Sequence, residues 1–122
     1  MTLEELYQTI QGDYAQALRV LRIEKLIDKH IRKFETGNPV RDLLEAGERM
    51  DAEQIFTAAH AAKGVCGNLG LLKLADAASE LTEEFRPGAP RTMSDAQIKE
   101  KLSALDRLYA QTLEGIRAYT AG

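Results

Sequence analysis

Apolar residues recur every three or four positions through most of the chain, a period typical of amphipathic α-helices. No stretch alternates apolar and polar residues as a half-buried strand would. The pattern predicts an all-α protein in which an antiparallel four-helix bundle follows additional N-terminal helices. The predicted bundle helices span about 39–49, 51–69, 71–86 and 95–119, and the N-terminal helices about 3–11 and 14–35. We expect the 122 residues to form one domain.

Local signals support these helix boundaries. The apolar stripe of the predicted 14–35 helix is wide near Arg19–Arg22, where a short break is compatible with the pattern. Pro39 suits the first position of a helix, and the segment 86–90 is rich in proline and glycine. Side chains suited to N-caps precede the predicted helices: Thr2, Asp13, Asn38, Asp51 and Ser94.

The apolar stripes define the expected core. The 14–35 helix should bury Leu18, Leu21, Ile23, Leu26, Ile27, Ile31 and Phe34. The 51–69 helix should bury Ile55, Ala58, Ala62, Val65, Cys66 and Leu69, and the next helix Leu71, Leu74, Ala75, Ala78, Leu81 and Phe85. We interpret the carboxylate-rich run Glu80–Glu84 as a solvated helix face.

The face of the 51–69 helix opposite its apolar stripe carries an unusual group of residues. At about 100° per residue, Phe56, Lys63, Gly64 and Gly67 fall within about 60° of His60. Each glycine inside a helix costs about 1 kcal/mol relative to alanine. Close helix packing is the usual reason for such glycines, but these two lie away from the stripe. The pattern favours a cleared surface that another protein can approach closely.

Histidine and lysine on this face point to group transfer. An imidazole nitrogen can act as a nucleophile and carry a covalent group. Lys63 lies one turn from His60, and its ammonium suits the negative charge of a phosphoryl group. Lys73 either extends this positive surface or is an ordinary solubilising lysine, with neither interpretation favoured by the pattern.

The stretch His60–Gly70 resembles the histidine-containing phosphotransfer (HPt) family, whose signature reads approximately His-x-[Leu/Phe]-Lys-Gly-x-x-x-x-Leu-Gly. Ala62 departs from it, since a larger apolar residue is usual there. The resemblance continues through Leu71–Ala75 and, more loosely, through most of the chain. The matching residues are His60, Lys63, Gly64, Leu69 and Gly70.

The resemblance implies a phosphorelay intermediate rather than an enzyme in its own right. His60 would be the phosphoacceptor, and Lys63 would steady the phosphoryl oxygens. Its partners would be response-regulator receiver domains and a hybrid histidine kinase; it needs no cofactor of its own, and Mg²⁺ would belong to the receiver. The predicted docking surface comprises Phe56, Gly64, Gly67, Lys73 and exposed apolar residues of the first helices. Leu3, Leu6 and Ile10 are candidates if the first helix lies beside His60.

A helical adaptor or inhibitor that docks on a kinase or receiver without carrying phosphate remains the alternative function. His30 lies beside an apolar stripe, so we predict a packed or partly buried histidine there. Cys66 lies on the core side, where a buried small hydrophobe is expected. The two histidines are far apart and no metal-binding motif is present, which disfavours a metal site.

Composition narrows the functional class further. A net charge of −3 disfavours nucleic-acid binding, and no apolar run is long enough to span a membrane. The single cysteine and the lack of a signal-peptide pattern predict a cytoplasmic protein. We expect a free-standing monomer, since the chain starts with Met1 and carries no receiver or kinase segment.

Overall fold

The computed structural model describes all 122 residues and contains α-helices but no strand, which confirms the all-α prediction. The four bundle helices lie within two residues of their predicted spans. In chain order the helices are α1 Leu3–Thr9, α2 Tyr14–Leu21, α3 Glu24–Thr36, α4 Pro39–Arg49, α5 Ala52–Asn68, α6 Leu72–Glu84 and α7 Asp95–Ala121.

Side-chain caps start five of the helices, as the sequence predicts. Each predicted N-cap side chain accepts a hydrogen bond from a backbone N–H of the first helical turn, which satisfies a group that has no partner inside the helix. The capping boxes at the start of α1 and α7 are both complete. These caps are Thr2, Asp13, Asn38, Asp51 and Ser94.

The predicted 14–35 helix divides at Arg22 into α2 and α3, so the short break that the pattern allowed near Arg19–Arg22 is present. Arg22 has φ 77° and ψ −40°, outside the helical region. The break restarts the helical phase, so two residues predicted in the core point outward. Ile23 is 52% exposed and Leu26 is 38% exposed. The stripe looked wide near Arg19–Arg22 because two helices with different buried faces meet there.

The helices α4 to α7 form the bundle. Helix α4 packs against α5, α5 against α6, α6 against α7, and α7 against α4. The turns Met50–Asp51 and Leu69–Leu71 are short, so successive helices from α4 to α6 run antiparallel. Helices α1 and α3 pack on α7, and α2 packs on α5. The N-terminal helices therefore cover the bundle while one face of α5 stays open.

The predicted stripes of α5 and α6 are buried with one exception. Every predicted α6 residue is buried, from Leu71 to Phe85. On α5, Val65 is 38% exposed although the pattern placed it in the core. Val65 lies at the edge of the stripe, about 140° around the helix from His60, and the neighbouring helices do not reach that far.

Helix α1 is part of the core, which overturns the suggestion that its apolar residues dock a partner. Leu3 and Leu6 are 4% and 0% exposed, and Ile10 is half-buried against the core. Gly115 of α7 lies directly against the Ile10 side chain, so α1 approaches α7 closely. The amphipathic face of α1 is already occupied by its own protein.

Glu84 corrects the prediction that the whole Glu80–Glu84 run is solvated. Only 6% of Glu84 is exposed. Its carboxylate accepts hydrogen bonds from the backbone N–H groups of Thr92 and Met93, both at 2.8 Å, and from the Thr92 hydroxyl at 2.6 Å. These bonds tie the loop before α7 to the end of α6. They also lower the pKa of Glu84, because they favour the charged form.

We expect Glu84→Gln to lower the thermal midpoint by several degrees at neutral pH. Because the native pKa of Glu84 is depressed, its stabilisation is complete above its unfolded pKa of about 4.3 and is lost as the pH falls through the native pKa. The difference in thermal midpoint between wild type and Glu84→Gln should therefore become smaller on acidification to about pH 4 and below. This difference is measured by thermal melts between neutral pH and about pH 4. The melts compare wild type, Glu84→Gln and the exposed control Glu100→Gln. A difference in thermal midpoint that stays constant with pH would contradict a role for the Glu84 charge in stability.

Candidate functional site

His60 lies on the open face of α5, with its side chain exposed. Lys63 and Gly64 are exposed on the same face, while Phe56 and Gly67 are half-buried. Helical spacing places these residues together, as the sequence predicts. The site is therefore a convex helix surface and not a pocket.

Neither Gly64 nor Gly67 is required by packing. A Cβ atom built on either glycine meets no other atom within 4 Å. Gly47 is the contrasting case, because a Cβ there would lie 2.6 Å from the Leu102 side chain. Helix packing thus explains Gly47 but not the two glycines beside His60, which leave open space next to the imidazole.

The His60 ring stacks on Phe56 and makes no hydrogen bond within the chain. The two ring centroids are 5.9 Å apart and the rings are inclined by only 11°. Both imidazole nitrogens are free of protein partners, so the unprotonated nitrogen of the neutral ring presents its lone pair to solvent. Such a nitrogen can attack an electrophile that a second molecule brings to this surface.

The end of α6 adds two charged groups that the sequence analysis missed. Arg86 pairs with Glu83 at 2.8 Å, and its guanidinium carbon lies 5.6 Å from the centre of the Phe56 ring. The Arg86 guanidinium, and more weakly the Lys63 ammonium, lower the pKa of Glu83. Lys63 itself forms neither a hydrogen bond nor an ion pair within the chain. The surface around His60 therefore holds two cations and one carboxylate.

The turn between α5 and α6 could have indicated these neighbours. When a short turn joins two antiparallel helices, residues at equal distances before and after the turn face each other, here about fifteen positions on each side. Phe56 and Arg86 stand in that relation to Gly70. The amphipathic pattern alone does not reveal the pairing, because both residues lie off the buried stripes.

Lys73 lies away from His60. Its ammonium donates a hydrogen bond to the Gln11 side chain, and it borders a depression formed by α1 and α7. His60 precedes the end of α5 at Leu69 by nine residues, or about 14 Å along the axis. The structure thus brings together Phe56, Lys63, Gly64 and Gly67 around His60, and leaves Lys73 outside that group.

Gly70 is a structural residue of the same motif. Its φ of 70° lies in the left-handed region, and a Cβ there would collide with the Asp13 carbonyl. Its carbonyl accepts a 2.7 Å hydrogen bond from the Asp13 N–H, and the Tyr7 hydroxyl donates one of 2.6 Å to the Leu69 carbonyl. The turn after α5 is where the N-terminal helices attach to the bundle.

The other candidate nucleophiles lie elsewhere. Cys66 is fully buried, as predicted, and burial raises the pKa of its thiol to about 12. The prediction of a packed His30 is wrong, because this residue is exposed on α3. Leu26, one turn before His30 in the predicted stripe, is itself 38% exposed, and the buried residues of α3 are Ile27, Ile31 and Phe34. His30 has no lysine and glycine surface like that of His60.

None of the helices combines the length and the apolar character needed to cross a lipid bilayer.

A family model described as Hpt domain matches residues 2–115 of the chain. Comparisons with curated proteins and with solved structures found no match. Hpt domains are phosphocarrier modules of phosphorelays that interact with receiver domains and kinases. Because the family model covers nearly the whole of this helical chain, the chain belongs to the Hpt domain family.

Proposed function

We propose that His60 accepts a phosphoryl group from the aspartate of one receiver domain and passes it to the aspartate of another. The observation that carries this proposal is the exposed imidazole with two free nitrogens on a surface cleared by Gly64 and Gly67. Lys63 supplies an unpaired ammonium one turn away. This combination suits a surface that receives a phosphoryl group from a docked protein.

The transfer follows from the chemistry of the imidazole. The lone pair of the outer nitrogen, Nε2, attacks the phosphorus of the aspartyl phosphate in line. The N–P bond forms as the P–O bond to the receiver breaks, and the receiver carboxylate leaves with the electron pair. The Nδ1 proton stays on the ring until solvent takes it up. The ammonium of Lys63 offsets charge on the phosphoryl oxygens, and attack by a second receiver's carboxylate reverses these steps.

The receiver domains complete the reaction, and a hybrid histidine kinase is a further partner. In this scheme Mg²⁺ lies on the receiver, and this chain supplies the nucleophile and a docking surface of Phe56, Gly64 and Gly67. We leave Lys73 out of that surface, because it lies beyond the far end of α5 and beside Gln11. We place the relay in the cytoplasm, where a reducing environment keeps a thiol such as Cys66 free, and we expect a monomer to bind one receiver at a time.

The test is labelled phosphoryl transfer from a panel of phosphorylated receiver domains to the full chain. We expect acid-labile, base-stable label on the protein, and its loss when a second, unphosphorylated receiver is added. Binding of receivers without any label would overturn the proposal and favour the adaptor function. Absence of both binding and label across the panel would also count against a relay role.

We expect Gly64→Gln to slow transfer by about tenfold or more while leaving the fold intact, because the new side chain occupies the space beside His60 through which a receiver approaches. Single-turnover transfer rates and thermal melts of the variant measure the two effects. Ala110→Gln, at an exposed site on α7, is the matched control and should transfer normally. Unchanged transfer in Gly64→Gln would contradict the cleared-surface interpretation.

A further inference from the structure

The orientation of His60 has one visible support. The imidazole makes no hydrogen bond within the chain, and its aromatic contact is the stack on Phe56. An exposed histidine on a helix is otherwise free to move among its staggered rotamers. A nucleophile that must attack phosphorus in line gains from a restricted orientation. The groups that hold Phe56 in place therefore bear on the reaction.

Phe56 contacts a cation, Arg86, that follows the end of α6 and pairs with Glu83 on that helix. Arg86 forms a forked pair with Glu83, with Nε at 3.1 Å and Nη2 at 2.8 Å from the two carboxylate oxygens. The same guanidinium lies over the Phe56 ring, 5.6 Å from its centre. A guanidinium is attracted to the face of an aromatic ring, and a forked carboxylate pair fixes its plane. Glu83, Arg86, Phe56 and His60 thus form a continuous series of contacts across α5 and α6.

We propose that Arg86, held by Glu83, is a positioning residue that steadies Phe56 against His60 and so orients the imidazole for phosphoryl transfer. The inference rests on the proposed function of His60 and adds residues from a second helix to it. Arg86 acts through Phe56 and needs no contact with the phosphoryl group. The bundle contributes to the reaction by fixing the register of α6 against α5.

A second arrangement of the same kind provides a matched control. Arg32 pairs with Asp28 at 3.1 Å and lies 5.5 Å from the centre of the Tyr119 ring. That group joins α3 to α7 and includes no histidine. Arg32→Ala therefore removes an equivalent ion pair and ring contact at a site remote from the α5 face.

The first readout is the NMR signature of the stack in the unphosphorylated protein. The ring current of Phe56 shifts the carbon-bound protons of His60, so Arg86→Ala should move the His60 proton resonances toward the positions seen in Phe56→Leu. Glu83→Gln should produce a smaller shift in the same direction. Arg86→Lys keeps a cation at the ring without the fork and should recover part of the shift. Arg32→Ala should leave the His60 resonances unchanged.

The second readout is the kinetics of transfer from a phosphorylated receiver. We expect Arg86→Ala to lower the maximal transfer rate by roughly three- to tenfold, the range that follows from freeing a few rotamers, and to change the half-saturating receiver concentration less than the rate. Arg32→Ala should match wild type in both the maximal transfer rate and the half-saturating receiver concentration. A raised half-saturating concentration with an unchanged maximal rate would overturn the proposal, since Arg86 would then bind the partner. Unchanged His60 resonances in Arg86→Ala would overturn it too, whereas absence of label on wild type would overturn the proposed function itself.

Discussion

Replacing His60 with glutamine should reduce phosphoryl uptake by at least about a hundredfold, to below detection. Glutamine keeps a polar side chain of similar reach, but its amide nitrogen has no lone pair available for attack on phosphorus. The side chain at 60 is exposed and forms no hydrogen bond within the chain, so the substitution should leave the thermal midpoint almost unchanged. Labelled transfer from a phosphorylated receiver, combined with a thermal melt, measures both quantities.

His30→Gln is the matched control for this experiment. His30 is the only other histidine and is also exposed on a helix. Its replacement should leave uptake at the wild-type level, because no lysine and glycine surface surrounds it. Label that persists in His60→Gln but disappears in His30→Gln would move the phosphoacceptor to α3. Label that persists when both histidines are replaced would exclude a phosphohistidine.

The second large effect concerns stability: Gly70→Ala should destabilise the fold by about 3 kcal/mol or more. Alanine disfavours the φ of 70° observed at this position, and its Cβ would collide with the backbone of Asp13. The backbone of Asp13 is tied to Gly70 by its own hydrogen bond and cannot move aside without opening the contact between α2 and the end of α5. Urea unfolding at neutral pH measures the change.

Gly64→Ala, in the same motif, should have the opposite effect on stability from Gly70→Ala. It should stabilise the protein by about 0.5–1 kcal/mol, because alanine favours the helix and its Cβ meets open space. Equal effects of the two substitutions would contradict the division between a structural Gly70 and a functional Gly64. A destabilised Gly64→Ala would show that this position is packed in solution.

The sequence alone was informative where a property depends on neighbours along the chain. The five N-caps, the buried stripe of α6 and the face shared by His60, Lys63, Gly64 and Gly67 all follow from spacing within one helix. A hydrogen bond to the first turn or a shared helix face involves residues only a few positions apart. Such features can be identified from the sequence before any tertiary contact is known.

The largest errors arose where one helix meets another. The wide stripe near Arg19–Arg22 allowed a break there, but it did not show that Ile23 and Leu26 would be exposed after it. The pattern showed that Leu3 and Leu6 share a face, but it did not show that α7 covers that face. The pattern left open whether Lys73 extends the surface around His60, and the structure places its side chain beside Gln11, next to α1.

The helical class follows from the amino-acid sequence, as do most helix boundaries and the composition of the exposed face around His60. Helix packing brings Glu83 and Arg86 to that face, lets Glu84 tie down the loop before α7, and places the Asp13 backbone against Gly70. The physical reason is the range of the interactions. Helical periodicity and capping act over three or four residues, whereas the stack on Phe56 and the turn at Gly70 depend on how whole helices pack.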